Sequence, residues 1–525
     1  MKKTTKIIIF SILGAMAIGS ASLVGVGVYR AILANKRTYS TENCNSYFKD
    51  TDVFHDQAAE YISNYEPNSE EDVTLRLKVS HGMALECNIA YTFDYNKTNP
   101  KYNYSSMKFE KVDEGLKYDY WIGIIPHNEA PYQYHFEIKN NVDNIYYNID
   151  GVNDGKIVTS ASDWSILPNF STPKRSQGAT WYSVMPESYY NGNTLNDKTG
   201  AEWQTPWGGH NSWAGEWFGG DLSGIQEKED YLYNTLNVTA LFLNPIWVTA
   251  HNAGYGCYDF FQIDSSFGND DDLLNLVRAL HKDDLKIMLD AVFQYCNVNN
   301  ILNNISELYP DLLGDLYYNF GQRDENGDQI NSYWGGVIID FSHQIARDYI
   351  YSTEESVMLA YLIFFGIDAW RMDVGETLSG SDSLNWGDST QILADIKTYL
   401  KEVSDNILFL SEHAYSNHLT DGILDSKWNY AFNKALLDWC QNNSNAKMLA
   451  SGLENACLYF PRGVTNSLYN FLTTHDQSYF YENINFDKTS FMTADLILFT
   501  FPGSPCIYFG EEFGKNLIII QTLQR

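Results

Sequence analysis

The sequence predicts an α/β protein: a (β/α)8 TIM barrel preceded by a small antiparallel β-sandwich. Residues 70–165 alternate apolar and polar side chains between turn-rich stretches, which is typical of antiparallel strands. Beyond about residue 175, short apolar runs alternate with helical patterns, which indicates parallel βα units. The chain has 525 residues, enough for a barrel of about 250 residues and further domains.

Composition and charge limit the class of partner. The chain holds 35 Lys+Arg and 66 Asp+Glu, a net charge of −31, so its surface repels phosphate backbones and we expect no nucleic-acid partner. An apolar fraction of 44% excludes a wholly disordered chain. Aromatic residues make up 15% of the chain, which fits a rich core or flat surfaces that stack on sugars. A neutral polyol is compatible with this charge.

The first 30 residues predict export. Three lysines within the first six residues precede an uncharged run at residues 7–29, which Arg30 ends. This run suits a membrane-spanning signal anchor better than a signal peptide, although small residues at 19–21 keep cleavage open as an alternative. We expect residues 31–69 to form a tether. The body of the chain is then on the extracellular face of the membrane, or secreted.

Each predicted element has its own pattern. Residues 73–79 and 132–138 alternate as strands of the sandwich. In the barrel, residues 241–246 and 286–290 are predicted strands, and between them Leu273, Leu276, Val277 and Leu280 recur at helical spacing. Later apolar runs end at three carboxylates: Asp373, Glu412 and Asp476. The carboxyl ends of barrel strands meet on one face, so these side chains form a candidate site.

Four segments resemble strands of the α-amylase family of glycoside hydrolases, especially its neopullulanase and cyclomaltodextrinase branch. Their sequences are LDAVFQY at 289–295, GIDAWRMDV at 366–374, ILFLSEHAY at 407–415 and FLTTHDQ at 471–477. The resemblance covers roughly residues 175–512, and the sandwich resembles the branch's N-terminal domain. It implies the barrel fold and hydrolysis of α-glucans.

The resemblance assigns the catalytic roles. Asp373 matches the nucleophile, Glu412 the acid/base and Asp476 the third carboxylate, which grips sugar hydroxyls. Retaining hydrolysis needs the first two carboxyls about 5–5.5 Å apart. We expect Arg371, on the same side of its strand, to keep Asp373 ionised, while Glu412 holds its proton. The alternative is a buried Arg–Asp–Glu ion network that serves stability alone.

The resemblance also implies substrate-binding residues, and the chain departs from the family at some of them. His475 and Asp290 match family positions, and Tyr255 matches the tyrosine that stacks under the cleaved sugar. Gln294 and Tyr295 stand where the family has Asn-His, and Gly256 replaces an Asp. We expect these changes to reshape the pocket of the cleaved sugar and to remove a ligand of the family's interdomain calcium site.

A second calcium site typical of the branch is the cofactor that we expect. Its oxygen ligands would be Asn191, Asn193, Asn196, Asp197 and Asp221. The alternative is a loop of Asx turns without metal.

The seven cysteines are not a dense disulfide framework. The resemblance puts Cys257 and Cys296 near the same barrel rim, where export would favour a disulfide, with two free thiols as the alternative. Cys440, Cys457 and Cys506 lie in apolar segments and are expected to pack as small hydrophobes.

The remaining segments bear on specificity. The barrel insertion at 297–334 is short for the family, so we expect an open groove in which Trp334 stacks on glucose units. The tail at 513–525 resembles neither the last helix nor the C-terminal β domain of the family, so we expect that domain to be missing.

Two functions follow from the sequence. The first is a retaining hydrolase that cleaves α-1,4 and also α-1,6 glucosidic bonds of maltodextrin, starch or pullulan fragments outside the cell. The alternative is a non-catalytic barrel that binds glycans or serves as a membrane ancillary protein. Oligomeric state is left open.

Overall fold

The computed structural model describes residues 39–115, 117–154, 159–198, 218–249, 254–302, 304, 320–324, 326–332, 335–378 and 389–514. The chain divides into two compact units, Met1–Asn169 and Phe170–Arg525. Among the described residues, no helix is both long and apolar enough to cross a membrane. The anchor predicted at 7–29, Trp334 and all but the first two residues of the 513–525 tail lie outside the described residues.

The first unit is the predicted antiparallel β-sandwich. One sheet has the order β1-β2-β6-β5 and the other β4-β3-β7-β8-β9, with β10 pairing to β7. The strands are β1 Val53–Phe54, β2 Val73–Ser80, β3 Glu86–Thr92, β4 Asn103–Ser106, β5 Lys108–Val112, β6 Tyr118–Ile125, β7 Tyr132–Lys139, β8 Asn144–Asn148, β9 Gly151–Asn153 and β10 Trp164–Ile166.

The alternation read from the sequence is the burial pattern of these strands. In β2 every odd residue from Val73 to Val79 is fully buried and the residues between them are partly exposed. The predicted boundary at residue 70 is wrong, because β1 pairs with β2 and Ile62 bridges Leu75. A two-residue strand is too short to show an alternating pattern of apolar and polar residues. The residues of β1 therefore fall within the predicted tether, although they belong to the sandwich.

The second unit is built on a parallel eight-stranded sheet. Its strands follow one another in chain order: β11 Trp181–Val184, β12 Ala240–Leu243, β15 Lys286–Ala291, β18 Ala369–Met372, β19 Leu408–Ser411, β20 Ser426–Lys427, β21 Tyr469–Phe471 and β22 Ser504–Tyr508. β22 pairs with β11, and a parallel bridge from Trp428 to Tyr469 joins β20 to β21. The sheet therefore closes into a barrel.

Short hairpins and helices surround the barrel. The hairpins join β13 Trp247–Thr249 to β14 Cys257–Ile263 and β16 Tyr295–Cys296 to β17 Val337–Ile338. The described α-helices are α1 Pro186–Tyr189, α2 Leu222–Glu227, α3 Asp270–Lys282, α4 Gln344–Ile350, α5 Val357–Ala360, α6 Thr390–Val403, α7 Ser416–Thr420, α8 Tyr430–Cys440, α9 Ala446–Asn455, α10 Arg462–Ser467, α11 Phe480–Asn483 and α12 Lys488–Thr500. Helix α3 is the one predicted from the sequence, and its four periodic apolar residues are all buried.

The predicted disulfide is absent. Cys257 and Cys296 lie close together, since the N–H of Asn297 donates to the carbonyl of Cys257 at 3.0 Å. Both are buried free thiols, as are Cys457 and Cys506. Adjacent strands brought the two cysteines together as expected, but their side chains do not bond.

Candidate active site

The candidate site lies at the carboxyl ends of β15, β18 and β19. Asp290 and Arg371 are register partners on adjacent strands. Asp373 and Glu412 each follow the last residue of a strand, and their N–H groups continue the ladder to Ala291 and Met372. The parallel register therefore stacks three carboxylates beside one arginine at the same end of the barrel.

Arg371 connects the three carboxylates. Its Nη1 donates to Oδ1 of Asp290 at 2.6 Å and to Oδ1 of Asp373 at 2.7 Å. Its Nη2 forms an ion pair with Oε2 of Glu412 at 2.8 Å. The guanidinium is fully buried, and its Cζ lies 4.3 Å from the ring centroid of Trp428. One cation thus faces three carboxyl groups in a buried site.

The surroundings shift the pKa values of the two catalytic candidates in opposite directions. Burial raises the pKa of Asp373 well above its usual range, and this outweighs the Arg371 ion pair. Burial also opposes ionisation of Glu412, but the charge of Arg371 lowers the pKa of Glu412 to about 2. The two pKa values are therefore shifted in directions opposite to those expected from the sequence. The sequence did not show that Arg371 also reaches Glu412.

A second cluster forms beside this one. The hydroxyl of Tyr255 donates to Oδ2 of Asp290 at 2.9 Å and lies 2.7 Å from Nε2 of His475. The rings of Tyr255 and His475 stack with centroids 5.9 Å apart. Nε2 of His475 is also 3.3 Å from Oδ2 of Asp476, whose side chain is 39% exposed. The third carboxylate is thus the most open to a ligand of the three predicted catalytic residues.

Tyr295 lies in the same site. It is buried at the start of the β16 hairpin strand, where a Cβ on Gly336 would meet its ring at 2.5 Å. Burial, with the charges of Asp373 and Asp290, raises the pKa of Tyr295. The structure therefore brings together all the predicted catalytic and substrate-binding residues except Trp334, which lies outside the described residues.

The backbone after the nucleophile candidate is strained. Val374 has φ of 40° and ψ of 43°, a left-handed conformation that β-branched residues rarely adopt. This turn directs the N–H of Val374 to Oε2 of Glu412 at 3.3 Å. Such strain, of order 1–3 kcal/mol, is concentrated at functional sites, where the surrounding structure maintains it.

Comparison with known proteins agrees with this geometry. The model of the α-amylase catalytic domain matches residues 183–325 and 339–522, which is more than half of the chain. The chain belongs to the α-amylase family. The model of the α-amylase N-terminal ig-like domain matches residues 49–165, which agrees with the boundary that the structure gives for the sandwich.

Relatives within the α-amylase family support the branch that the sequence indicated. Neopullulanase 2 from Thermoactinomyces vulgaris is 25% identical over 497 residues, covering 88% of this chain and 78% of the relative. Intracellular maltogenic amylase from Bacillus subtilis strain 168 is 24% identical over 465 residues, covering 85% and 75%. A solved cyclomaltodextrinase structure has the same fold, with a TM-score of 0.63, 23% identity and coverage of 88% and 78%.

Sequence reasoning missed several residues of this family member's site. The side-chain amide of Asn244 lies 3.2 Å from the Tyr255 hydroxyl and 3.1 Å from Nδ1 of His475. Asn244 directly follows β12, so the rule that found the carboxylates would have found it too. Trp428 directly follows β20 and His413 directly follows Glu412, so the same rule would have found both. Tyr430, the first residue of α8, had no such signal, because only the fold brings it to Glu412.

The predicted calcium ligands do come together around Asp221. Its carboxylate accepts from the N–H groups of Gly192, Asn193 and Gly224, and burial raises the pKa of Asp221. Oδ1 of Asn191 and Oδ1 of Asn196 are buried and have no hydrogen-bond partner among the described residues. Two buried amide oxygens beside a buried carboxylate form a donor set that suits a hard cation. In the described part of the chain, no cluster of three or more His, Cys, Asp or Glu side chains has the arrangement of a metal site.

Proposed function

We propose that the protein is a retaining α-glucan hydrolase that cleaves α-1,4-glucosidic bonds of maltodextrin, starch or pullulan fragments, with α-1,6 bonds as a second target. The observation that carries this proposal is the single guanidinium shared by Asp373 and Glu412. Because both carboxyl groups contact Arg371, they are held close together. Retaining enzymes need the two carboxyl groups about 5–5.5 Å apart, whereas inverting enzymes need a wider gap that holds a water molecule.

Asp373 is the proposed nucleophile and Glu412 the proposed acid/base. Asp373 attacks the anomeric carbon while Glu412 protonates the departing oxygen. In the second half of the reaction, water attacks the glycosyl–Asp373 ester and Glu412 takes the proton of that water. Asp476, supported by His475, accepts hydrogen bonds from sugar hydroxyls and favours a distorted ring.

Substrate has to change the charge distribution of the free site. Bond breaking requires an ionised Asp373 and a protonated Glu412, whereas in the free protein burial raises the pKa of Asp373 and the charge of Arg371 lowers that of Glu412. Glu412 has to hold its proton before the glycosidic bond breaks, and positive charge that then develops on the sugar favours the ionised form of Asp373. The pH–rate profile then reports pKa values of the coupled pair, not of either residue alone.

The proposed substrate class is inferred from the branch of the α-amylase family that the chain resembles. The relatives carry names that refer to pullulan, maltose and cyclomaltodextrin. The buried Tyr295 beside Asp373 replaces the usual histidine contact to the cleaved sugar, so we expect slow turnover and a narrow pocket at that position.

A reducing-sugar assay on maltodextrin tests the function. The purified chain is expected to release reducing ends from maltohexaose and from pullulan. Binding of maltohexaose without any turnover would support the non-catalytic alternative. Cleavage of sucrose alone would contradict the proposed open groove and the α-glucan substrate class.

We also propose that residues 7–29 hold the enzyme on the extracellular face of the membrane. The support is the apolar run and the preceding lysines of the sequence. One relative is named intracellular, so the location needs its own experiment. Membrane-bound enzyme that an external protease degrades in intact cells is the expected result. Enzyme protected inside the cell would contradict it, and free enzyme that begins after about residue 21 would indicate a cleaved signal peptide.

Calcium is the proposed cofactor of the Asn191–Asp197 loop. Amide oxygens of Asn191, Asn193 and Asn196 and carboxylates of Asp197 and Asp221 would hold it. When bound, the ion would crosslink this loop to the start of α2, at a distance in the chain from the catalytic strands.

A further inference from the structure

The two carboxylate oxygens of Glu412 have different surroundings. Oε2 is held by Nη2 of Arg371 at 2.8 Å and by the N–H of Val374 at 3.3 Å. Oε1 accepts a hydrogen bond from the Tyr430 hydroxyl at 3.0 Å, and Nε2 of His413 lies 3.5 Å from it. Oε1 is therefore the oxygen available to exchange a proton with substrate.

His413 is held in place from two directions. Its ring stacks on Tyr430, with centroids 4.7 Å apart and an interplanar angle of 22°. Its carbonyl accepts a hydrogen bond from Oγ of Ser411 at 2.5 Å. The side chain is 44% exposed and lines a cavity of about 310 Å³ that Glu412 and Tyr430 also line. A leaving sugar beside Glu412 would occupy this cavity.

Arg371 offers Glu412 a competing arrangement. Guanidinium groups bind carboxylates best through two parallel hydrogen bonds. Nε of Arg371 is buried and has no acceptor among the described residues, and Nη2 pairs with Oε2 of Glu412 at 2.8 Å without favourable hydrogen-bond geometry. If Oε1 were unsupported, the Glu412 carboxyl would be drawn with both oxygens toward Arg371. Oε1 would then face away from the cavity.

We propose that His413 is a positioning residue: stacked on Tyr430, it keeps Oε1 of Glu412 directed at the leaving-group oxygen while the glycosidic bond breaks. This inference rests on the proposed hydrolase function. His413 itself neither gives nor takes the proton. The proton leaves Oε1 of Glu412 for the glycosidic oxygen as the glycosidic bond breaks, and it returns from water during hydrolysis of the glycosyl intermediate.

The test compares two substrates that differ in their need for an acid. Maltotriose has a poor leaving group, whereas the fluoride of α-maltosyl fluoride departs without protonation. We expect His413→Phe, which keeps the stack but loses Nε2, to lower kcat/KM for maltotriose about 10- to 100-fold, part of the 10²–10⁴ typical of general acids. The same variant is expected to change kcat/KM for the fluoride less than about twofold, because fluoride departs without the acid. We compare kcat/KM because this parameter reports the step in which the bond to the leaving group breaks.

Matched variants complete the design. His413→Gln restores a polar atom and is expected to recover most of the maltotriose activity. His343→Phe and His343→Gln are the controls, because His343 has a similar exposure and precedes α4. An equal loss on both substrates would show a merely structural role, and no loss on either would show no role. Both results overturn the proposal.

A measurement independent of turnover separates this inference from the proposed function. Wild-type protein that cleaves neither substrate would disprove the hydrolase. The contact between His413 and Glu412 is still measurable in a double-mutant cycle of urea unfolding with Glu412→Gln and His413→Phe. We expect the midpoint shifts of the single variants not to add in the double variant. Additive shifts would overturn the positioning role.

Discussion

At the residue scale, the balance of charge around Arg371 determines how the site responds to substitution. Three carboxyl groups face one guanidinium, so the ionised form of each is stabilised by Arg371 and opposed by any charge on its two neighbours. Removing the cation would leave buried anions uncompensated, at a cost of about 3–5 kcal/mol. Removing one anion has the opposite effect, which makes the nucleophile assignment testable without loss of the fold.

We expect Asp373→Asn to reduce kcat on maltohexaose by at least about 10⁴-fold, as loss of a catalytic nucleophile does. The amide oxygen still accepts from Nη1 of Arg371, and a neutral amide of the same size suits a buried position that already disfavours charge. Thermal unfolding should therefore shift little or rise. Turnover close to that of the wild type, after mass spectrometry has excluded deamidation, would show that Asp373 is not the nucleophile.

At the element scale, the turn after β18 and the end of β19 approach each other closely. A Cβ on Gly375 would lie 2.3 Å from Oγ of Ser411, the buried last residue of β19. The two strands that carry Asp373 and Glu412 therefore meet where only glycine fits. Spacing between the two carboxyls depends on this contact.

Gly375→Ala is expected to destabilise the protein by about 1–3 kcal/mol through overpacking, and to lower kcat by separating the two carboxyls. Adding Ser411→Ala removes the Oγ atom that meets the new methyl group. Urea unfolding and kcat on maltohexaose should both recover partly in the double variant. If Ser411→Ala gives no recovery, the close approach of the two strands is not the cause of the losses in stability and kcat.

The loop around Asp221 is the second element with a testable property. Calcium at about 100 times its Kd should stabilise the native state by about 2.7 kcal/mol, seen as a rise in Tm that EDTA reverses. Asn191→Ala together with Asn196→Ala removes two of the proposed amide oxygen ligands and should abolish the rise. A Tm of the wild-type protein that is insensitive to millimolar calcium would favour the metal-free loop of Asx turns.

At the scale of the whole molecule, a buried acid after the last barrel strand links stability to pH. Glu511 accepts from the Thr473 hydroxyl at 2.6 Å, and burial raises the pKa of Glu511 to about 8. The native state thus keeps a proton that the unfolded chain loses above pH 4.5, the ordinary pKa of a glutamate. This contribution is complete below about pH 4.5 and is lost as pH rises toward 8.

Glu511→Gln should remove that dependence. Relative to the variant, the wild-type protein is expected to lose a few kcal/mol of unfolding free energy between pH 4.5 and pH 8. Urea unfolding of both proteins at pH 5, 6.5 and 8 measures the difference. A difference that stays constant over this interval would mean that Glu511 is ionised in the native protein.

The sequence alone determined the architecture and the identity of the three carboxylates. Period-two and helical patterns are local, so they mark β2, α3 and β15 without any knowledge of contacts. The carboxyl ends of the parallel strands of a barrel all lie on the same face, so the sequence positions of Asp373 and Glu412 placed both on that face. The two-residue strand β1 was too short for such a pattern, so the sandwich began earlier than predicted.

Tertiary structure decided which groups share charge. Arg371 and Asp290 are 81 positions apart, and only the register of β15 and β18 brings them within 2.6 Å. The ion pair from Arg371 to Glu412 lowers the pKa of Glu412, which is the direction opposite to the one expected from the sequence. Tyr430 reaches Glu412 only because β20 is the next strand of the barrel. Sequence patterns report which face of an element is buried, whereas pKa values depend on the distances and burial that barrel closure sets.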